Sequence, residues 1–171
     1  MRHYYLFLLL FLSGITSCRK DEPSSESGKP VITGYYQRSI TGGGVNGGDP
    51  EIVGNPNTRL GDGNDFASSD YYMISYPNPC MGDQLVITIK SPSESSQKKL
   101  WIVPAEWNEK APENIPAVTK ETLDRLSELN ITLSSHTSAI SINTSKFTNR
   151  YYRVYLEVNG KLFYDNVLIQ K

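Results

Sequence analysis

Apolar positions gather along the second half of the chain in short β-branched and aromatic runs, most of them separated by turn residues, as strands do. The runs are Tyr71 to Tyr76, Leu85 to Ile89, Leu100 to Val103, Ile131 to Leu133, Ala139 to Ile142, Tyr151 to Val158 and Lys161 to Ile169. Asn159-Gly160 joins the last two and predicts a two-residue hairpin, because both central residues of such a turn take positive φ. That turn sets Leu156 opposite Phe163 and Tyr152 opposite Val167, on one side with Val154, Val158 and Ile169. Asp165 falls on the same apolar face, which predicts a bulge or a partly wet face there.

The period changes between Thr119 and Leu129. Leu123, Leu126 and Leu129 line one side, with Lys120, Glu121, Asp124, Arg125 and Glu128 elsewhere, so a helix is expected, capped by Thr119 at its start and Asn130 at its end. The proline-, Glu- and Asn-rich residues from Pro104 to Pro116 predict a long surface excursion. Val31 to Tyr36 has strand character weakened by Gly34, and Thr41 to Gly63, dense in glycine and asparagine, reads as loops. Seven strands with one crossover helix predict an all-β fold, an antiparallel β-sandwich over residues 71–171. Residues 31–70 form a glycine-rich, loop-rich segment, and the pattern leaves open whether it packs on the sandwich.

The chain opens with a basic head at Arg2, an apolar stretch from Tyr4 to Leu12 and the small-residue sequence Ile15-Thr16-Ser17-Cys18. The apolar stretch is shorter than the roughly 20 residues that span a bilayer, and the order of parts is that of a secretory signal. Its end resembles a bacterial lipobox. That resemblance implies a signal peptide over residues 1–17, cleavage before Cys18 and acylation of Cys18, with palmitate among the expected chains. Lys20-Asp21-Glu22 resembles the lysine-plus-acids export signal of Bacteroidota surface lipoproteins, which implies display on the outer leaflet of the outer membrane, with the periplasmic face as the alternative. Residues 18–30 have no apolar residue beyond Cys18 and read as a flexible tether. A coil of that length holds the folded part roughly 20 Å from the membrane.

Tyr76-Pro77-Asn78-Pro79, followed by Leu85-Val86-Ile87-Thr88-Ile89, resembles the opening of the C-terminal domains carried by type IX secretion cargo. Tyr151 to Leu156, Asn159-Gly160 and the terminus Val167-Leu168-Ile169-Gln170-Lys171 resemble their closing hairpin and basic end. The likeness covers residues 74–171 and implies an immunoglobulin-like sandwich. Physically, Pro77 and Pro79 each remove a backbone donor, as a strand-to-strand corner requires.

Charge and chemistry narrow the function classes. The 17 basic residues less Arg2 leave 16 against 18 acidic ones after cleavage, a net charge of −2 that is no footprint for nucleic acid. The two cysteines, Cys18 and Cys80, give no disulfide framework if Cys18 is acylated, and Cys80 reads as a packing residue. His136, in the polar turn Ser134 to Ser138, has no triad or metal partners at the right spacing, so no catalytic set and no cofactor are expected. Asp62, Asn64 and Asp65, with Asp70 nearby, offer oxygen ligands beside glycines in a spacing that departs from the Ca²⁺-binding EF-hand.

Aromatic residues are abundant. Trp101 is expected in the core. Trp107, in the excursion, and Tyr155 and Tyr164, on the outer face of the hairpin beside Arg153, are the candidates for contact with a partner. The expectation is a non-enzymatic, lipid-anchored envelope protein whose sandwich serves an envelope protein or a glycan, or else a periplasmic structural or assembly accessory. Replacing Cys18 by alanine is expected to abolish incorporation of labelled palmitate and to leave the precursor uncut. Label retained in Cys18→Ala would refute acylation at this residue.

Overall fold

The computed structural model describes residues 28–45, 48–55, 70–112 and 118–171. In chain order the elements are β1 (Val31–Ile32), β2 (Gly34–Gln37), β3 (Glu51–Gly54), β4 (Tyr72–Tyr76), β5 (Gln84–Lys90), β6 (Lys98–Pro104), β7 (Glu106–Trp107), α1 (Lys120–Leu126), β8 (Leu129–Leu133), β9 (Ala139–Asn143), β10 (Arg150–Val158) and β11 (Lys161–Ile169). Asn159 and Gly160 take the positive φ that their turn needs, 52° and 73°, and lock β10 to β11 in the expected register. Antiparallel addition of β6 to β10 and of β8 to β6 gives a four-stranded sheet, β11-β10-β6-β8. The second sheet, β4-β5-β9, is antiparallel too. Met73, Leu85, Ile87 and Ile89 from this sheet meet Leu100, Ile102, Tyr152, Val154, Leu156 and Val167 from the first. The result is the expected antiparallel β-sandwich, built from the seven strands that the apolar runs mark.

The outer face of the four-stranded sheet is covered by α1. Thr119 caps the helix by accepting the Thr122 N–H at 3.2 Å. The helix ends at Leu126, earlier than the leucine spacing predicts. The Ser127 N–H still returns to the Leu123 carbonyl, but the Glu128 N–H donates to the Ile102 carbonyl at 2.9 Å and starts the β8 ladder on β6. Leu129 therefore pairs with Ile102 and Asn130 with Trp101. Asn130 does not cap the helix. Its Nδ2 donates to Asp124 Oδ1 at 2.7 Å.

The glycine-rich segment is not all loop. Within it, β3 pairs antiparallel with β2, from Gly34 opposite Gly54 to Gln37 opposite Glu51. Residues 31–38 pack around the β11 edge of the sandwich. Arg153 Nη2 donates to the Val31 carbonyl at 3.0 Å, and Asn166 Nδ2 donates to the Gly34 carbonyl at 2.7 Å, both from the outer face of the hairpin. Further on, Arg38 reaches the inner face, where Nη1 meets Asp165 Oδ2 at 2.7 Å and the Ser75 carbonyl at 3.1 Å. The Ser75 N–H donates to the same Asp165 oxygen at 2.9 Å. Asp165 thus needs neither a bulge nor water: the β10–β11 register is unbroken, and the side chain is 2% exposed against Arg38 at 1%.

The Tyr76–Pro79 corner receives this segment. Both Tyr76-Pro77 and Asn78-Pro79 are cis. Asn78 is buried, and its backbone exchanges two hydrogen bonds with Arg38, at 2.8 and 3.0 Å. Its Nδ2 donates to the carbonyls of Tyr36 and Asn166, both at 2.8 Å, while its Oδ1 accepts the Leu168 N–H at 3.0 Å. Cys80, a buried free thiol, bridges in parallel to Ile169, so the corner also closes the edge of β11. Arg38→Met is expected to lower the unfolding free energy by about 3–5 kcal/mol, because it leaves Asp165 charged and buried. Adding Asp165→Asn should recover part of that loss in urea denaturation. A double variant no more stable than Arg38→Met would show that the two groups are not coupled.

Candidate functional site

An aromatic cluster forms where the chain enters the sandwich. β1 and β7 pair in parallel, Val31 with Glu106 and Ile32 with Trp107, through bonds of 2.9 Å from Glu106 N–H to the Pro30 carbonyl and from Asn108 N–H to the Ile32 carbonyl. The Ala105 N–H holds this ribbon to the Tyr151 carbonyl at 2.9 Å, beside the start of β10. The indole of Trp107 consequently stacks on Tyr151, with centroids 4.9 Å apart and an interplanar angle of 27°. Tyr151 in turn leans on the buried ring of Tyr35 at 6.1 Å. Burial, and then the neighbouring Tyr35, push the Tyr151 phenol above its ordinary range.

Gly54 sets how close the indole comes to the backbone. It has φ of +73°, and a Cβ there would lie 2.4 Å from the Thr33 carbonyl and 3.1 Å from the indole. Ile52, two positions earlier and on the same face of β3, is 53% exposed, and Trp107 is 39% exposed. Gly54 brings the end of β3 against the indole, so these two exposed apolar side chains stand on neighbouring elements, the aromatic one held by packing and the aliphatic one open. Such a surface offers dispersion and stacking to a partner.

The other two aromatic candidates are not available to a partner. Tyr155 and Tyr164 are only 1% and 4% exposed, because α1 lies over the outer hairpin face and packs them with Trp101, Val103 and Leu123. The Arg153 guanidinium sits 4.6 Å from the Tyr164 ring centre, and its Nε donates to Asn166 Oδ1 at 2.8 Å. Burial raises the Tyr155 phenol above its ordinary value, although Arg153 opposes the shift. Trp101 is core, as its strand position predicts, with Nε1 donating to Asp124 Oδ1 at 2.7 Å. Hydrogen bonds from Lys99 and Trp101 hold the Asp124 carboxyl below the usual range.

The corner residues Tyr76, Pro77, Asn78 and Pro79 act as the structural junction described above. His136 is exposed in the β8–β9 turn. Cys18, Lys20, Asp21, Glu22, Asp62, Asn64 and Asp65 lie outside the described residues. Among the described residues, no group of three or more His, Cys, Asp or Glu is placed to hold a metal, and no helix is long and apolar enough to cross a membrane. Tyr151 and Tyr35 are the members of the cluster that the strand pattern did not single out. Only the parallel β1–β7 pairing, which joins distant parts of the chain, brings Trp107 to them.

No protein-family model, curated protein or solved structure matches this chain.

The contrast between buried and open aromatics is measurable. Tyr155→Ala should cost about 3–5 kcal/mol of stability, the range for a large buried ring. Trp107→Ala should cost about 1 kcal/mol, the scale of one aromatic contact. The raised Tyr155 value contributes stability that is fully present below the ordinary phenol value of 10.0 and is lost as pH climbs through the raised value. Tyr155→Phe should therefore lose stability less steeply in alkali than the parent in pH-dependent melting. Equal slopes would contradict the burial of this phenol.

Proposed function

We propose that this chain is a non-enzymatic, lipid-anchored cell-envelope protein, displayed at the cell surface, whose sandwich contacts a partner through the Trp107–Ile52 strip. The observation that carries this reading is Trp107 itself. It is an indole stacked on Tyr151, which Tyr35 backs, and set against the Gly54 backbone, yet left 39% exposed. A pre-positioned aromatic ring loses little side-chain freedom on binding, which is why such rings dominate interface energies. The aliphatic Ile52 beside it favours another envelope protein over a glycan, since a sugar platform gains more from polar neighbours than from an exposed isoleucine. Supporting the anchored arrangement, the lipobox-like end at Cys18 and the charged tether lead directly into β1, the strand that pairs with the Trp107 ribbon.

Protease treatment of intact cells tests the display, and a binding assay tests the strip. The wild type should be shaved, while a variant with Lys20, Asp21 and Glu22 changed to alanine should be protected until the cells are lysed. The mature chain should bind outer-membrane fractions saturably, and Trp107→Ala should weaken that binding about tenfold, the effect of one interface anchor. Protection of the wild type would place the protein on the periplasmic face. Unchanged binding by Trp107→Ala would remove the strip from the proposal.

A further inference from the structure

Two charged side chains on the inner faces of the sandwich have opposite surroundings. Asp165 is answered by Arg38. Lys98, the first inward position of β6, is 1% exposed and has no carboxylate within ion-pair distance among the described residues. Its Nζ donates to the Ser135 carbonyl, and that carbonyl also takes a hydrogen bond from Ser95 Oγ at 3.5 Å. An ammonium has three donors, so this one carbonyl leaves most of its hydrogen-bonding capacity and all of its charge unanswered. Burying an uncompensated cation is costly, and no acid among the described residues stands close enough to Lys98 to offset it.

The lysine lines a hollow at the end of the sandwich, between the loop after β5 and the β8–β9 turn. Around it stand Lys90, Ser91, Ser93, His136 and Thr137, and neither Asp nor Glu is among the lining residues. Glu94, the acid carried by the same loop, is exposed and does not line the hollow. The wall therefore presents two ammonium groups, an imidazole and several hydroxyls, all able to donate to an acceptor-rich guest.

We propose that this hollow is an oxyanion site that takes a phosphate or sulfate group, with Lys98 as its buried counter-charge. A tetrahedral oxyanion has several acceptor oxygens, enough to meet donors that arrive from two loops and a strand end. Desolvation by burial lowers the Lys98 ammonium from its ordinary value, consistent with a cation that lacks a partner. The hollow lies at the opposite end of β6 from Trp107, so its occupancy is independent of the aromatic strip.

The test is a titration of the mature chain with inorganic phosphate and with glycerol phosphate, using chloride at matched ionic strength as the control. Backbone amide resonances would be followed throughout. Saturable shifts centred on residues 134–138 and Lys98 are expected with phosphate but not with chloride. Lys98→Met should reduce affinity by about tenfold or more, the scale of one charge-assisted hydrogen bond. Because an interior substitution risks the fold, the exposed Lys90→Met variant provides a second reading, with an expected weakening of several-fold. Tighter binding of glycerol phosphate would mark an esterified ligand such as a lipid or glycan substituent, and tighter binding of inorganic phosphate would mark the free ion. The proposal fails if the wild type shows no saturable shift, if the shifts fall elsewhere, or if folded Lys98→Met or Lys90→Met binds as well as the parent.

Discussion

The ion pair between Arg38 and Asp165 is the constraint on which the rest of the arrangement depends. Asp165 sits in the middle of β11, on a face whose other members are Phe163, Val167 and Ile169. Its carboxylate is out of water, and a buried carboxylate without a partner is far too costly for a domain whose whole stability is about 5–15 kcal/mol. The partner comes from residues 31–38, which lie far from β11 in sequence. Once Arg38 is drawn in, its backbone is fixed against Asn78, and the side chain of Asn78 joins Tyr36, Asn166 and Leu168. One buried charge thereby determines where the N-terminal strands lie, how the corner after β4 is tied, and what covers the edge of β11. Such a network is stabilising only when complete, because each member left alone would be a buried polar group without its partner.

What was legible in the sequence divides along the same line. The seven sandwich strands, their antiparallel pairing in the last hairpin and the core position of Trp101 follow from local pattern and turn chemistry. So does the Thr119 cap, which depends on residues three apart. The misreadings all involve contacts distant in sequence. Asp165 read as a bulge or a partly wet position because its partner lies in a glycine-rich segment with weak strand character. Leu129 and Asn130 fit a helix by spacing, but β6 offers Ile102 and Trp101 as ladder partners, and the ladder wins at that point. Tyr155 and Tyr164 read as exposed because alternation along a hairpin distinguishes two faces without saying whether a helix covers the second. In the candidate site, Trp107 was legible as an aromatic residue in a polar excursion. Its seat on Tyr151 depends on a two-residue parallel ribbon that no local signal announces.

The geometry of the N-terminal segment bears on the anchored arrangement proposed here. In that proposed arrangement, a pull on a membrane anchor would reach β1 before the other described strands. That strand, β1, is only two residues long, and by itself it would add little. It is braced on the outer face by the Arg153 guanidinium, by pairing with β7 and, two residues later, by Asn166 at Gly34. Arg153 and Asn166 are both buried polar side chains on the outer face of the hairpin, where α1 alone would be served as well by apolar residues. Their polarity is explained by the carbonyls of Val31 and Gly34, to which they donate. The longest pair of strands, β10 and β11, thus carries β1 and the residues that follow it.

The inner faces hold one further departure from an apolar core. At the inward positions of β6, Leu100 and Ile102 fill space between the sheets, and the same parity gives Lys98 to the core at the strand's first residue. A leucine there would extend the core by one layer and close the end of the sandwich. The lysine does neither. It opens onto a hollow and contributes a charge that no acid among the described residues neutralises. At Asp165 the same problem is solved by bringing in a complementary group from the chain, and the solution reorganises the whole N-terminal segment. At Lys98 the neighbouring loops bring hydroxyls, a second lysine and a histidine, none of which carries negative charge. Their convergence makes sense if the complement to this cation is supplied from outside the chain. The sandwich then has its β11 edge sealed by its own polar network and one end built to be completed by a ligand.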